Sequence, residues 1–229
     1  MLVLSLLLIG RELVTSARFA IADVRVEGAR RAPIEDIVAL AAIPDGTNVF
    51  LFDADAAEEK VRGHPWVKSA HVRRDLPRGV TIEVSEHRPR ALVALGELFL
   101  VDADGTIIKA YEPGDPWSFP VVTGLSRPTV ERDPSALVPA LGLIGAWDDR
   151  SLPQLSEVRV HGPAGVAART VDGTLVRLGS APHDAKLDRL EQILSSPDTR
   201  NAVSVRLDGD RREDRATVVL PRPSLEGER

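Results

Sequence analysis

Five histidines are the side chains of this chain with the widest chemical repertoire, and their spacing limits what they can do. No two of them stand three or four residues apart, the spacing that would place both rings on one face of a helix for zinc. The chain also has no cysteine, so thiolate nucleophiles, disulfides and cysteine-ligated metals are excluded. The histidines are His64, His71, His87, His161 and His183.

Glu86 and His87 are adjacent and form the best candidate for an acid-base pair. They stand at the end of an alternating segment, next to Arg88 and Pro89, so a structural role at a strand end is favoured. The Gly-x-Ser-x-Gly pattern and the glycine-rich loops that bind phosphate are missing from the sequence. We therefore expect no catalytic residues and no enzymatic activity.

Two acidic clusters resemble the beginnings of metal sites. Asp102 and Asp104 precede Gly105, but a calcium loop needs a further acidic ligand and a closing glutamate, whereas the sequence continues with apolar residues. A hairpin turn is the better interpretation. Asp53 and Asp55 are in turn typical of a helix start. The sequence predicts neither a metal site nor a cofactor.

Composition narrows the class of partner. The 34 acidic residues outnumber the 29 basic ones, and the basic residues are scattered rather than clustered, so nucleic acid is not expected as a partner. At 229 residues with 43% hydrophobic composition, the chain can form one large domain or two small ones with a real core. A small-molecule substrate is not indicated either.

The first nine residues, MLVLSLLLI, are almost wholly apolar. At about 1.5 Å per residue a helix of this length reaches roughly 13 Å, less than half of a hydrocarbon core about 30 Å thick. Arg11, Glu12 and Arg18 prevent extension of the run on its C-terminal side. Three interpretations stay open: the outer part of a span that starts upstream, a signal-like core, or a core helix. We favour the first, with residues 1–18 as a truncated membrane span and stalk.

The first half of the chain predicts a strand, two helices and two strands. Alternation over residues 20–26 indicates the first strand, and Ile34, Ile37, Val38 and Ala41 have helical spacing. We expect a second helix to start at Asp53 and Asp55, with Asp55 and Glu58 forming a capping box. The two strands that follow, over residues 66–74 and 80–84, form a hairpin around LPRG at 76–79.

The second half predicts a mainly antiparallel β domain with two helices. Two strands, 98–101 and 106–111, flank DADG at 102–105, and a meander covers residues 158–178 with its second turn at DG, 172–173. One apolar helix carries Leu137, Leu141 and Trp147 on a single face, and an amphipathic helix follows Pro182. The fold class is α+β with a dominant antiparallel sheet.

The last predicted strand, ATVVL at residues 216–220, is apolar and β-branched. A strand at the end of a chain often lies at a sheet edge, where unpaired donors and acceptors are either protected or used for pairing with another chain. The charged loop before it, DGDRREDR at 208–215, contains no apolar cover. We therefore expect this edge to bind a partner.

The spaced motifs of the first half resemble the POTRA domain of the bacterial cell-division family FtsQ, called DivIB in some bacteria. The residues that carry the resemblance are FAI at 19–21, VRVEG at 24–28, GTNVFLFD at 46–53, PWVKSAHVRRDLP at 65–77 and IEVSEHRP at 82–89. The likeness continues into the β domain of the family through LVD at 100–102 with Gly105, PVVTG at 120–124, VRLG at 176–179 before KL at 186–187, and VRLD at 205–208.

The resemblance implies four segments. These are a truncated membrane span and stalk over residues 1–18, a POTRA domain with βααββ order over 19–89, an FtsQ-type β domain over 90–221 and a polar tail over 222–229.

The resemblance also implies a function. It implies a single-pass inner-membrane protein of the division septum, with most of the chain in the periplasm or outside the cytoplasm, that recruits and holds FtsB and FtsL and has no enzymatic activity. FtsB is expected to add a strand to the terminal β segment, and Arg206 and Arg215 are candidate charged contacts. The residues predicted to bind the partner are Arg206, Arg215, Ala216, Thr217, Val218, Val219 and Leu220.

Two other classes of protein fit the sequence less well. A POTRA-containing chaperone for outer-membrane or secreted clients would need a barrel or repeated POTRA units, and the sequence shows neither long lipid-facing alternation nor repetition of the first unit. A periplasmic hydrolase would need a nucleophile with its base and orienting group, which the motifs do not supply.

Overall fold

The computed structural model describes residues 11, 16–208 and 216–221 and divides the chain into two compact units, with the boundary between His87 and Arg88. In the N-terminal unit the elements are β1 (Asp23–Glu27), α1 (Ile34–Ala41), α2 (Ala54–Arg62), β2 (Val67–Asp75) and β3 (Gly79–Glu86). In the C-terminal unit they are β4 (Pro89–Ala94), β5 (Leu98–Asp102), β6 (Ile107–Ala110), β7 (Val121–Thr123), α3 (Arg127–Arg132), α4 (Val138–Asp148), β8 (Leu155–Val160), β9 (Val166–Thr170), β10 (Leu175–Gly179), α5 (Asp184–Ser195), β11 (Ser204–Arg206) and β12 (Thr217–Val219).

The predicted membrane segment falls on residues 1–9, which lie outside the described residues. None of the helices in the described part of the chain combines the length and the apolar character that a bilayer crossing needs.

The N-terminal unit is a three-stranded sheet with two helices packed on it. Its strands are ordered β1-β3-β2, with β1 parallel and β2 antiparallel to β3. The apolar positions of the helices and strands meet in a core that includes the fully buried Ile37, Val61 and Ile82. This confirms the predicted βααββ order. Trp66 is also buried, with the guanidinium of Arg31 5.2 Å from its ring centre.

The second helix starts where it was predicted, at Asp53, but it is capped differently. Asp53, not Asp55, is its N-cap, and the Asp53 carboxylate accepts a hydrogen bond of 3.0 Å from the Ala56 N–H. The expected capping box of Asp55 with Glu58 is wrong, because Glu58 accepts instead from the Val72 N–H at 2.8 Å and contacts His71. Glu58 therefore joins α2 to β2, a long-range contact that local spacing does not reveal.

The C-terminal unit is built on one nine-stranded sheet in the order β12-β11-β10-β9-β8-β7-β4-β5-β6. Five of its eight strand pairs are antiparallel and three are parallel. Helices α4 and α5 supply Ile144, Trp147, Leu187 and Leu190 to the core that covers one face of the sheet. The predicted α+β class is confirmed, and a short helix, α3, adds to the two that were expected.

The Asp102 turn is a hairpin, as predicted. One carboxylate oxygen of Asp102 accepts hydrogen bonds from the N–H groups of Asp104 at 3.0 Å and Thr106 at 2.9 Å, and so closes the turn between β5 and β6. The carboxylate is occupied by the backbone of its own loop.

Gly28 directly follows β1, at a position where a side chain would clash with β3. Its φ is +87°, and a Cβ atom there would lie 2.0 Å from the carbonyl oxygen of Val84 on β3. Gly46, in the same unit, also has a positive φ of +72°, but an added Cβ meets nothing within 4 Å. A side chain at Gly46 would meet backbone strain alone, whereas one at Gly28 would meet both strain and a steric clash.

We expect Gly28→Ala to lower the free energy of unfolding by at least about 3 kcal/mol, since strain and clash add, and Gly46→Ala by only about 1 to 2 kcal/mol. Urea unfolding of both variants measures the difference. Equal losses would show that the close approach of Gly28 to β3 does not matter for stability.

Candidate partner-binding edge

The last strand of the chain lies at one end of the large sheet. Strand β12 pairs with β11 in antiparallel register, Val218 lying opposite Val205, and no strand among the described residues covers its other side. The expected position of this segment at a sheet edge therefore matches the structure. Such a strand has one row of peptide groups that its own sheet leaves unpaired.

The peptide groups of Val218 belong to this outward row. The Val203 N–H donates to the Val219 carbonyl at 2.8 Å, so the carbonyl of Val219 faces β11. Because peptide groups alternate along an antiparallel ladder, those of Val218 face away from β11. Thus Val218 offers one N–H and one C=O to a visiting strand.

The side chains of β12 divide between the two faces of the sheet. Val218 is half-buried and packs against the core, whereas Thr217 and Val219 are exposed on the opposite face, Val219 to 52%. Ala216 is also half-buried against the core, and Leu220 is 48% exposed. The strand is thus held by its inner side chains while its backbone edge and outer side chains stay accessible.

Strand β11 is a firm support for this edge. Val205 is fully buried, and the strand is bonded to β10 at both ends. The Leu207 N–H donates to the Arg177 carbonyl at 2.8 Å, and the Leu175 N–H donates to the Val203 carbonyl at 3.0 Å. A partner strand would therefore add to β12 while β11 stays paired with β10 on the other side.

A line of arginines crosses the solvent face of the sheet next to this edge. Arg206 lies between Thr217 of β12 and Arg177 of β10 in the strand register, and Ala167 then separates Arg177 from Arg159 of β8. We call Arg159, Arg177 and Arg206 the arginine row. All three side chains are exposed, since their neighbours Val158, Val176 and Val205 take the core side.

Acidic side chains neutralise part of the positive charge of the arginine row at two positions. Arg159 donates to Glu157 at 3.0 Å, and Arg206 lies 3.6 Å from Asp208. The hydrogen bond from Thr123 is the largest influence on Glu157 and lowers the pKa of its carboxyl; Arg159 adds to this, against the effect of burial. Glu157 therefore stays ionised through the neutral range and offsets part of the charge at the far end of the row.

The predicted partner-binding residues are brought together in part. The structure places Arg206 beside Thr217, at the inner margin of the segment 216–220. Arg215 lies outside the described residues. Sequence reasoning missed Arg159 and Arg177, although alternation within their strands already put both on the side opposite the core. What it lacked was the strand order, which aligns them with Arg206.

Other side chains that could bind a metal or transfer a proton do not form a site in the described residues. Among the residues that the structure describes, no cluster of three or more His, Cys, Asp or Glu could hold a metal ion. His183 is buried, and neither ring nitrogen has a hydrogen-bond partner in the described part. Burial, helped by the charge of Lys186 and opposed by that of Asp184, lowers the pKa of its imidazole, so it is neutral at pH 7.

Glu86, the acid of the candidate acid-base pair, is engaged with the backbone. Its carboxylate accepts hydrogen bonds from the N–H groups of Arg30 at 2.8 Å, Arg31 at 2.8 Å and Ala32 at 2.9 Å. It thereby holds the loop that leads from β1 into α1. Burial pushes the pKa of Glu86 upwards, but these three bonds together with the charge of Arg31 outweigh it, and the net pKa is lowered.

The βααββ unit and the β unit that follows it are each matched by a family model, and together they place the chain in a class of two-domain proteins. The model for the POTRA domain, FtsQ-type, matches residues 19–87. The model for cell division protein FtsQ/DivIB, C-terminal, matches residues 91–219. The chain belongs to the FtsQ/DivIB family of cell-division proteins, which confirms the resemblance seen in the sequence.

Curated relatives support the same assignment over most of the chain. The cell division protein FtsQ of Anaeromyxobacter sp. (strain K) is 36% identical over 205 residues, which cover 86% of this chain and 70% of the relative. That of Myxococcus fulvus is 35% identical over 221 residues, 93% of this chain and 78% of the relative. That of Syntrophotalea carbinolica is 34% identical over 199 residues, 83% and 71% respectively.

The engagement of Glu86 predicts a pH-dependent contribution to stability. We expect Glu86→Gln to lower the free energy of unfolding at pH 7 by about 1 to 2 kcal/mol, because a neutral amide with one oxygen accepts fewer and weaker bonds. The folded-state pKa lies below the ordinary value of 4.5, so this stabilisation is complete above pH 4.5 and disappears as the pH falls through the lowered pKa.

Urea unfolding of the two proteins at pH 7 and at progressively lower pH measures this difference. Glu27→Gln, an exposed carboxylate on β1, is the matched control and should change stability little at any pH. A gap between wild type and Glu86→Gln that does not narrow on acidification would contradict the assigned role.

Proposed function

We propose that this chain is a non-enzymatic scaffold of the bacterial division complex that binds its partner by β-strand addition to β12. The observation that carries the proposal is the position of β12 at the sheet edge with the peptide groups of Val218 facing outward. In this mode backbone hydrogen bonds supply affinity, and side chains at alternate positions of the added strand supply selectivity.

The exposed side chains of the strand suit such an added segment. Val219 and Leu220 offer apolar contact beside the backbone edge. Side chains alternate between the two faces of a strand, so every second side chain of a strand laid along β12 would lie on the same face as Thr217 and Val219. Since neighbouring strands lie about 4.8 Å apart, these side chains would be in contact. The surface thus favours an extended partner with β-branched or aromatic residues.

The arginine row supplies the charge preference. Arg206 is the member nearest β12, and Arg177 and Arg159 continue the positive charge away from the edge. A partner with acidic residues beside its β segment would be attracted before contact and held in register afterwards. The arginine row would therefore mainly affect the rate of association and the choice of partner.

Family membership suggests who the partners are and where binding takes place. The resemblance implies FtsB and FtsL as partners, with FtsB supplying the added strand. It also implies attachment to the inner membrane through the N-terminal apolar segment, with both folded units outside the cytoplasm at the division septum. Arg206, Ala216, Thr217, Val218, Val219 and Leu220 form the proposed contact surface, and Arg215 is proposed to join it.

Val218→Pro is the most direct test of strand addition. Proline removes the outward N–H of Val218 and its ring obstructs a strand laid along that side, while the hydrogen bonds of β12 to β11 are made by other residues. We expect affinity for the cognate FtsB, measured by calorimetry or biolayer interferometry, to fall about tenfold or more.

Val218→Ala is the matched control, since it keeps the N–H and trims only the half-buried side chain. We expect it to retain most of the affinity, and thermal unfolding of both variants checks that the sheet is intact. Full FtsB binding by a folded Val218→Pro variant would sink the strand-addition proposal.

Charge reversal at Arg206 tests the arginine row. We expect Arg206→Glu to slow association with FtsB by roughly tenfold at low ionic strength, with a smaller effect on dissociation, and to weaken the salt dependence of the rate. Stopped-flow or surface-plasmon measurements over a range of salt concentrations give both rates.

Arg132→Glu makes the same charge change on α3, at an exposed position remote in sequence from both β11 and β12. It should have little effect on the association rate. If the two variants slow association equally, net charge rather than the arginine row governs the encounter.

A further inference from the structure

Three segments of the N-terminal unit meet at the end where the chain enters it. The Val49 N–H donates to the Phe19 carbonyl at 2.8 Å, and the Ile21 N–H donates to the Thr47 carbonyl at 2.9 Å. From the β2–β3 hairpin, the Arg78 side chain donates to the Ala20 carbonyl at 3.1 Å. Residues 19–22, 47–52 and 76–78 therefore form one surface, which we call the stalk end.

The topology places the stalk end at one pole of the unit. Strands β1 and β3 run parallel and both begin there, Asp23 lying opposite Gly79, and β2 finishes there at Asp75. The other pole holds the ends of β1 and β3 and the loop that Glu86 binds, from which α1 starts at Ile34. The two poles can thus be compared within one folded unit.

The stalk end exposes large apolar side chains. Leu51 is 63% exposed, Leu76 60% and Phe50 42%. The ring of Phe50 lies 5.2 Å from that of Phe19, so the aromatic pair continues the apolar surface toward the stalk. Of the four large apolar residues exposed in the described part of this unit, three lie at the stalk end, and the fourth, Ile34, lies at the other pole.

Charge alone does not explain this surface. Arg18 and Arg78 are exposed at the stalk end, but Asp45 is exposed in the neighbouring turn, and Asp53 caps α2 close by. The two signs are close to balanced. A ligand that fits must therefore make apolar contact, and the arginines would serve only as flanking groups.

The connection to the N-terminal apolar run limits what can cover the stalk end. Only six residues, 10–15, separate the run MLVLSLLLI from Ser16. Even fully extended, the chain from Ile9 to Ser16 reaches at most about 25 Å. If that run is embedded in a bilayer, as the proposed function requires, the stalk end is tethered within this distance of the lipid surface.

We propose that the stalk end docks on the surface of the bilayer that holds the N-terminal run, with Phe50, Leu51 and Leu76 inserted among the lipid headgroups. Exposed leucine and phenylalanine side chains typically enter the boundary between headgroups and acyl chains. The tether keeps the unit at a high effective concentration near the lipid surface. The contact fixes which pole of the unit faces the membrane. Because its driving force is apolar, it should change little between zwitterionic and anionic lipids.

Single-cysteine labelling tests the contact, since the chain has no cysteine of its own. The full chain carrying Leu51→Cys or Leu76→Cys is labelled with the fluorophore NBD and reconstituted into phosphatidylcholine vesicles that contain a doxyl-lipid quencher. Ile34→Cys, apolar and exposed at the opposite pole, is the matched control. Vesicle flotation confirms that each protein is bound, and circular dichroism confirms that it is folded.

We expect the labels at 51 and 76 to be quenched by lipid and shielded from aqueous iodide, and the label at 34 to show the reverse. Adding phosphatidylglycerol should leave this result unchanged. Vesicle-bound protein with labels at 51 and 76 as open to iodide as the label at 34 would overturn the contact while leaving the membrane anchor intact.

Shielding from iodide without lipid quenching would mean that protein covers the stalk end, and would also overturn the proposal. Failure of every variant to float with the vesicles would instead remove the anchor on which the contact rests.

Discussion

A β-strand has two rows of peptide groups, and a strand paired on one side must leave the other row to water or to another chain. In this molecule the constraint falls on β12, which is bonded to β11 and has no strand of the described residues beyond it. Its inner side chains pack against the core, so the strand is kept in place without closing its outer edge. The partner-binding role proposed for this family member depends on the outward row of peptide groups that β11 leaves unpaired.

The rest of the C-terminal unit aligns charged side chains beside this edge. Parallel pairing of β10 and β11 aligns Arg177 with Arg206, and antiparallel pairing of β11 and β12 aligns Arg206 with Thr217. A hydrogen-bonding edge alone would accept any extended peptide, because backbone groups are common to all sequences. In the proposed mode of binding, the positive charge beside the edge would discriminate among partners before and during contact.

Several details show where local reasoning succeeded and where it failed. The hairpin at Asp102 was predictable because the carboxylate, the turn glycine and the flanking strands are neighbours in sequence. The start of α2 was predictable, but its capping box was wrong, since Glu58 fits the local pattern and yet bonds to β2. Glu86 was set aside as an acid-base candidate, yet its three backbone partners lie more than 50 positions away and could not be inferred from spacing.

The sequence by itself determined the α+β class and the βααββ order of the first unit, because alternation, helix spacing and turn residues act over short distances along the chain. Its spaced motifs also carried the resemblance to the FtsQ/DivIB family. Only the tertiary structure decided that Val218 directs its peptide groups outward, that Arg159, Arg177 and Arg206 share one line, and that Phe50, Leu51 and Leu76 meet at one pole. These facts follow from strand order and register. Strand order and register are set by the packing of segments far apart in sequence. A local pattern of residues is compatible with several such arrangements and cannot select one.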